Sequence, residues 1–587
     1  MVSRKSRIES AKYLLALLLA VSVPISALMV SAQYPTEPQI RKDGTTVLIE
    51  DYADLPISNP THAGSSAEID FKLQLGRVNS LRSEPANAPM AASRYFVIDE
   101  SAILYILDKS TRKFSPYLNF KEIFPKFDSD TGTTAGLISL AFDPDYAKNG
   151  KFYTVHIEMP SLPGATAPTN AGFPSLDLTG YTVMPTVKPP AGETHYESIV
   201  NEWTDTNIRN ATFEGSSREL LRVAFDRSHP MDDLLFDPLA KPGSADYGNL
   251  YISHGDGASG ETPGPQHFFP QQLNNFMGKI LRITPDIHLR PQDRLSSNGQ
   301  YRIPSTGPDP NPFVSIPGAL GEIFAYGLRH PHRMTWDPVS NVLLATDIGD
   351  HYWEAVVIVT KGANYGYAER EGNEQFFVDN AGKTTSLMDT PPPFPEKDLL
   401  HVDGIDEPVA LVYPAALYSH KEGDSIGSGF VYRGKSMPQL RGKFIFNDIT
   451  TGRIFYADLN ELIATRGQRN HQAQIHEIQI MYKNPYDTSI QAPVKTRMYD
   501  VVAAGYKRKG GAPFPHHVLP GGGAATTGYR DLARTLLKTD YEGVVWGGGR
   551  ADVRVVADGD GELYVLSKSD GMIRKFAAVV TPPPASK

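Results

Sequence analysis

The sequence predicts an all-β protein, a six-bladed β-propeller with long loop insertions, on three observations. A short hydrophobic run, a turn and an aromatic-rich run recur six times along the 587 residues. Several of the first runs end in an Asp-Pro turn, as at Leu140-Ala-Phe-Asp-Pro144, Leu234-Leu-Phe-Asp-Pro238 and Met334-Thr-Trp-Asp-Pro338. The chain also carries 50 Gly and 47 Pro and shows no long heptad or helical stretch. An apolar strand, a polar turn and a second apolar strand make a hairpin. One hairpin cannot bury its own faces, so six copies imply blades that stack into a ring.

The second runs, in order, occupy residues 102–108, 150–156, 248–254, 340–346, 442–448 and 561–567. Gly248-Asn-Leu-Tyr-Ile-Ser-His254 and Gly561-Glu-Leu-Tyr-Val-Leu-Ser567 are typical, with a turn glycine followed by strand-forming residues. Residues 1–32 read as a secretory signal. Arg4, Lys5, Arg7 and Lys12 precede an apolar stretch, and Val30-Ser-Ala32 offers small residues for cleavage before Gln33. Residues 33–90 read as an N-terminal arm with little regular structure, 91–578 as the propeller, and 579–587 as a disordered tail. Four connections, 161–214, 285–317, 371–408 and 463–542, are long enough to be functional loops covering one face.

The chain has no cysteine, so a disulfide framework is excluded. Its net charge is −9, and removal of the basic front makes it more acidic still. That balance argues against nucleic acid or an anionic membrane as the main partner and is compatible with a neutral ligand such as a sugar. The expected location is periplasmic or secreted, without stable membrane insertion after signal cleavage.

The segment 322–333 is the densest in chemistry-bearing side chains. Arg329 stands there between two strand-like runs and next to a proline-bounded turn, where its planar fork suits carboxylates. Asp347-Ile-Gly-Asp350 could surround a hard cation with oxygens. The Asp558-Gly-Asp-Gly-Glu562 run reads as a hairpin turn rather than a calcium loop. His229 directly precedes a strand, and an imidazole in such a loop is the natural proton acceptor near neutral pH.

The succession Gly136-Leu-Ile-Ser-Leu-Ala-Phe-Asp-Pro-Asp-Tyr146, Gly278-Lys-Ile-Leu-Arg-Ile283, Tyr326-Gly-Leu-Arg-His-Pro331, Gly362-Ala-Asn-Tyr-Gly366 and Gly561-Glu-Leu-Tyr-Val565 resembles the glucose/sorbosone dehydrogenase family. That family includes soluble quinoprotein aldose dehydrogenases and the propeller of hedgehog-interacting proteins. The resemblance spans roughly residues 90–578. It implies a six-bladed propeller with pyrroloquinoline quinone (PQQ) on the axis and Ca²⁺ bridging quinone to protein. By position it implies His229 as the catalytic base, Arg329 and His330 at the quinone, and Gly349 and Asp350 at the calcium. Arg550 and Arg554 are the arginines available near the last blade for the cofactor. His330 stands where the family usually has Asn, and Thr134 where quinone-binding members often carry Gln.

The function implied is oxidation of an aldose or related sugar at C1 to the lactone, with electrons passed to an external acceptor. Two other classes stay open on the same scaffold: a non-catalytic binding propeller and a metal-dependent lactonase. The sequence names neither the sugar nor the oligomeric state.

Overall fold

All six repeated runs are strands paired antiparallel with the run before them. The computed structural model describes residues 39–56, 76–129, 135–262, 264–375, 377–378, 384–385, 398–489, 491–509, 514–515, 544–545 and 551–580. The predicted signal, the tail beyond residue 580, Thr134 and Arg550 therefore lie outside the described residues.

Strand β1 (Thr46–Asp54) is followed by four antiparallel meanders. The first joins β2 (Val78–Ser83), β3 (Arg94–Asp99), β4 (Ile103–Asp108) and β5 (Phe114–Asn119). The second joins β6 (Leu137–Phe142), β7 (Lys151–Glu158), β8 (Tyr196–Asp205) and β9 (Gly215–Phe225), with a two-residue strand, Leu176–Asp177, on its edge. The third joins β10 (Met231–Phe236), β11 (Leu250–His254), β12 (Lys279–Ile283) and β13 (Ile323–Tyr326). The fourth joins β14 (Pro331–Asp337), β15 (Val342–Asp347), β16 (Trp353–Ile358) and β17 (Ala416–Ser419).

The remaining strands are β18 (Ile426–Val431), β19 (Lys443–Asp448), β20 (Ile454–Asp458), β21 (His476–Tyr482), β22 (Val553–Ala557), β23 (Leu563–Ser567) and β24 (Met572–Val579). With β1 and a three-residue strand they form one nine-stranded sheet, ordered β18-β19-β20-β21-β1-β24-β23-β22. The architecture is all-β and propeller-like, with four separate blades and this larger sheet. The first strands touch in succession, β2 to β6, β6 to β10, β10 to β14, β14 to β18, β18 to β22 and β22 to β2.

An innermost strand has one edge without a ladder partner, and side chains satisfy it. Asn79 Nδ2 donates to the Ile138 carbonyl at 3.0 Å. Asp233 accepts from Ser139 Oγ at 2.8 Å and from the Met334 amide at 3.0 Å. Asn447 bonds the Val553 carbonyl and the Val555 amide, both at 3.0 Å. These contacts tie neighbouring blades at the axis. Between blades the packing is apolar; in the first and second, Trp203 lies fully buried among Phe120, Phe152 and Phe213 and donates its indole N–H to Thr154 at 2.8 Å.

The N-terminal arm is where the sequence reading is corrected. Residues 33–90 were expected to be irregular, yet they hold β1 and β2. In consequence the 102–108 run is the third strand of its blade, whereas the other five runs are second strands. The long connections are corrected likewise. Segment 161–214 contains β8, and segment 463–542 contains β21 and a helix, Met498–Arg508, whose apolar side packs into the core of the nine-stranded sheet. No helix among the described residues is long and apolar enough to cross a membrane.

Candidate functional site

The third and fourth blades open toward the same point. In the third, β10 and β11 pair with Met231 opposite His254. Continuing that antiparallel register by two residues sets His229 opposite Asp256, and the loop amides continue the ladder, Gly255 N–H to the Pro230 carbonyl at 3.0 Å and Gly257 N–H to the His229 carbonyl at 3.3 Å. His229 Nδ1 meets Asp256 Oδ1 at 2.6 Å. Histidine 229 sits at φ 55°, in the left-handed region that side chains with a Cβ rarely adopt. Such strain is found where surrounding structure over-determines a functional position. Opposite it, a Cβ on Gly255 would stand 2.5 Å from His229 Cβ, so the approach requires glycine.

Asp256 is fully buried and fixed on both oxygens, accepting the Ala258 amide at 3.0 Å and the Gly260 amide at 2.8 Å. Burial alone would raise its proton affinity. His229 and Arg329 outweigh it and hold the carboxyl below the usual aspartate value. It is therefore an acceptor, which puts the proton of neutral His229 on Nδ1 and leaves Nε2 as the basic nitrogen.

In the fourth blade the loop before β14 carries Arg329, whose carbonyl accepts the Asp256 amide at 2.7 Å, joining the two mouths. Its guanidinium donates to Glu261 Oε1 and to the Ile348 carbonyl at 3.3 Å, and lies 3.6 Å from Asp350 Oδ1. Burial opposes the charge, but Glu261 and Asp350 win and keep Arg329 firmly protonated. Its Nε is buried without a hydrogen-bond partner among the described residues. Glu261 also approaches His229, with Oε1 3.8 Å from Nε2, beyond hydrogen-bond reach.

Around Arg329 the acidic groups exceed the cations. Asp347 accepts the His330 amide at 2.8 Å and is pushed up to about 7 by burial. Asp350 is held down at about 2, because Arg329 and His351 outweigh its burial. Glu371 Oε1 gathers four consecutive amides, those of Asp350 at 2.6 Å, His351 at 2.9 Å, Tyr352 at 3.1 Å and Trp353 at 3.3 Å. Its Oε2 is buried with no partner among the described residues, and burial and then Asp350 raise its proton affinity. Gly349 belongs to this turn; a Cβ there would lie 1.7 Å from the Trp353 carbonyl oxygen.

Of the residues singled out by sequence, His229, Arg329, His330, Gly349 and Asp350 come together here. Arg554 lines the same axial cavity of ≈ 90 Å³ and is paired with Asp552 at 3.2 Å. Lys568, in the same wall, binds Glu100 at 2.6 Å, and its burial brings it down to about 8. The imidazole of His330 packs against that of His229, ring centres 4.7 Å apart, and its Nε2 contacts Asp232. Sequence reasoning missed Asp256, Glu261, Glu371 and Asp232. Asp256 stands two residues after the quoted Gly248–His254 run, and it becomes meaningful through the hairpin register.

Residues 241–395 match the family model described as Glucose / Sorbosone dehydrogenase. The chain is 26% identical to the HIPL1 protein of Arabidopsis thaliana over 336 residues, covering 54% of this chain and 43% of that protein. It is 33% identical to Aldose sugar dehydrogenase YliI of Escherichia coli over 97 residues, 16% of this chain and 21% of that one. The chain thus spans less than half the length of these curated relatives. Among solved structures, the PQQ-bound aldose sugar dehydrogenase of Streptomyces coelicolor aligns at a TM-score of 0.42 and 14% identity, covering 90% of this chain and 97% of that one. On the matched segment 241–395, which carries Arg329 and both acidic positions of the adjacent turn, the chain resembles the glucose/sorbosone dehydrogenase family.

Proposed function

We propose that the chain is an exported, PQQ- and calcium-dependent dehydrogenase that oxidises an aldose or related sugar at C1 to the lactone. The observation that carries this reading is the His229–Asp256 pair beside the Arg329 guanidinium, at the mouth of the axial cavity. The name of the E. coli relative and the quinone in the Streptomyces structure belong to those proteins and are extended here as part of the proposal.

The residues fit both groups. A quinone bearing carboxylates needs cationic donors, and Arg329 offers a buried Nε without a partner while already holding one carboxylate, that of Glu261. A calcium ion needs oxygen ligands, and Glu371 Oε2 is a buried, unpartnered carboxylate oxygen beside Asp350 in the turn that also contains Gly349. His330 and Arg554 stand in the same cavity wall and are assigned to the cofactor environment; Arg550 is retained in that assignment by sequence position alone. When bound, PQQ would supply a two-electron hydride acceptor and calcium a Lewis acid to polarise it.

The chain's own residues provide the proton chemistry. His229 Nε2 takes the proton of the C1 hydroxyl as the C1 hydride departs. Asp256 holds the ring in the required tautomer and stabilises the imidazolium that results. Arg329 anchors the anionic partner, and Glu261 leaves the guanidinium when that partner arrives.

A six-blade count belongs to the same proposal. The nine-stranded sheet divides at its parallel pair, β1 with β21, into the meanders β18–β21 and β22-β23-β24-β1. The ring of six touching first strands supports that division.

Reconstitution of the mature chain with PQQ and Ca²⁺, followed by dye reduction with a panel of aldoses, tests the reading. A shifted quinone spectrum and sugar-dependent reduction are expected. An unchanged spectrum with no sugar active would overturn it, and lactone hydrolysis without quinone would favour the lactonase alternative.

A further inference from the structure

The segment 322–333 contains a second histidine, His332, that the sugar chemistry does not use. Its surroundings are unusual. At the start of four inner strands the ladder slips by one residue, between Val78 and Ser80, Leu137 and Ser139, Met231 and Asp233, and Pro331 and Arg333. The residue released from pairing by each β-bulge is Asn79, Ile138, Asp232 and His332, and all four line the axial cavity. A bulge re-aims a side chain in this way. His330 reaches the same place from the loop, two residues before His332.

Asp232, His330 and His332 each offer one ligand atom, and these atoms lie within 4.8 Å of one another, all in buried side chains. His332 is 5% exposed, and neither ring nitrogen has a hydrogen-bond partner among the described residues. A buried imidazole without a partner costs stability that a ligand would restore. His332 Nδ1 is 3.5 Å from Asp232 Oδ1. Two ligands on one tetrahedral ion with bonds of about 2.1 Å stand about 3.4 Å apart.

We propose that Asp232, His330 and His332 bind one divalent transition ion of the zinc class on the propeller axis, next to His229. Two imidazoles and one carboxylate select a borderline ion such as Zn²⁺, Co²⁺ or Ni²⁺ and reject calcium, which takes oxygen ligands only. Three protein ligands leave a position open to water or substrate. Arg333 touches the same carboxylate, Nη1 to Oδ1 at 3.4 Å, and with Arg554 in the cavity wall works against a cation; Glu100 and Asp552 stand in the same wall but are paired with Lys568 and Arg554, so the ion's binding rests on its three ligands. The site takes His330 from the residues assigned to the cofactor environment, but metal binding is read without quinone or sugar, so its failure and that of the dehydrogenase reading are distinguishable.

The test uses the untagged full chain, stripped with a chelator and titrated with Co²⁺. One Co²⁺ per chain with visible d–d absorption is expected, displaced by Zn²⁺ and untouched by excess Ca²⁺. H332A and D232N should lose the band, while H229A keeps it. Absence of a stoichiometric band in the wild-type chain, its persistence in H332A, or displacement by Ca²⁺ overturns the proposal. Should both ligand variants fail to fold, X-ray absorption of the Zn²⁺-loaded wild-type chain decides: two imidazoles and oxygen in the ion's shell support the site, and fewer than two imidazoles overturn it.

Discussion

His229 Nδ1 and Asp256 Oδ1 stand 2.6 Å apart although 26 residues separate them in the chain, because the β10–β11 hairpin folds them into register. The consequence is a base whose free nitrogen is set by its partner. In D256N the amide N–H₂ can face Nδ1 and move the imidazole proton to Nε2. The expected outcome is a fall in sugar-oxidising turnover of about 10³–10⁴-fold with KM little changed. Steady-state dye reduction checks this, and a PQQ titration should show that cofactor affinity is retained. A variant with more than a tenth of wild-type turnover removes Asp256 from the mechanism.

Glu261 and Arg329 make a pair that any anionic cofactor must open. The carboxylate is 29% exposed in its side chain, whereas Arg329 is buried, so the glutamate is the partner free to leave. Replacing it in E261Q removes the competing charge, and quinone affinity should rise about 5–10-fold, near 1 kcal/mol or slightly more. R329Q should weaken it. Quenching or absorbance titration with PQQ reads both, and a weaker E261Q would mean that Glu261 is itself part of the cofactor site.

Asp347 supplies a pH dependence with a definite sign. Burial raises it from the ordinary 3.8 to about 7, so between those values the folded chain keeps a proton that the unfolded chain has lost. Its contribution is therefore fully present below about pH 4 and is lost as pH rises through 7, up to about 4 kcal/mol as an upper bound. The thermal midpoint should fall from pH 5 to pH 7.5, and D347N should flatten that part of the profile. An unchanged slope in D347N, measured by scanning calorimetry, would place the effect elsewhere.

The legible part of this chain is what local pattern encodes. Each aromatic-rich run is short and bounded by turn residues, as Leu250–His254 is, buried along its whole length, so the hairpins could be read directly. Thr46–Asp54 carries a comparable apolar run, but its partners β24 and β21 lie more than 400 residues away and its neighbours are polar. The site divides in the same manner. His229 and Arg329 stand in recognisable motifs, whereas Asp256 reaches His229 across a hairpin, and Asp232 reaches His330 across two blades. Bulges added a further layer, since a slip of one residue decides whether His332 faces the axis.

The pairing of β1 makes the N-terminal segment indispensable to the fold. β1 runs antiparallel to β24 and parallel to β21, so its removal opens two strand edges in the nine-stranded sheet. Val47 and Ile49 are buried against the core that includes Phe576, Val565 and Ile480, and Ala53 is buried in the adjoining cluster. Burying the two larger side chains is worth about 3–6 kcal/mol, a large share of the roughly 5–15 kcal/mol that holds a domain folded. A chain starting at residue 56 should therefore be insoluble or molten, with lost near-ultraviolet circular dichroism. I49D should reproduce much of that loss by placing a carboxylate in the core. E50A, at the exposed neighbouring position, should leave the thermal midpoint within a few degrees of wild type. Cooperative unfolding of I49D at the wild-type midpoint would show that the sheet closes without this strand.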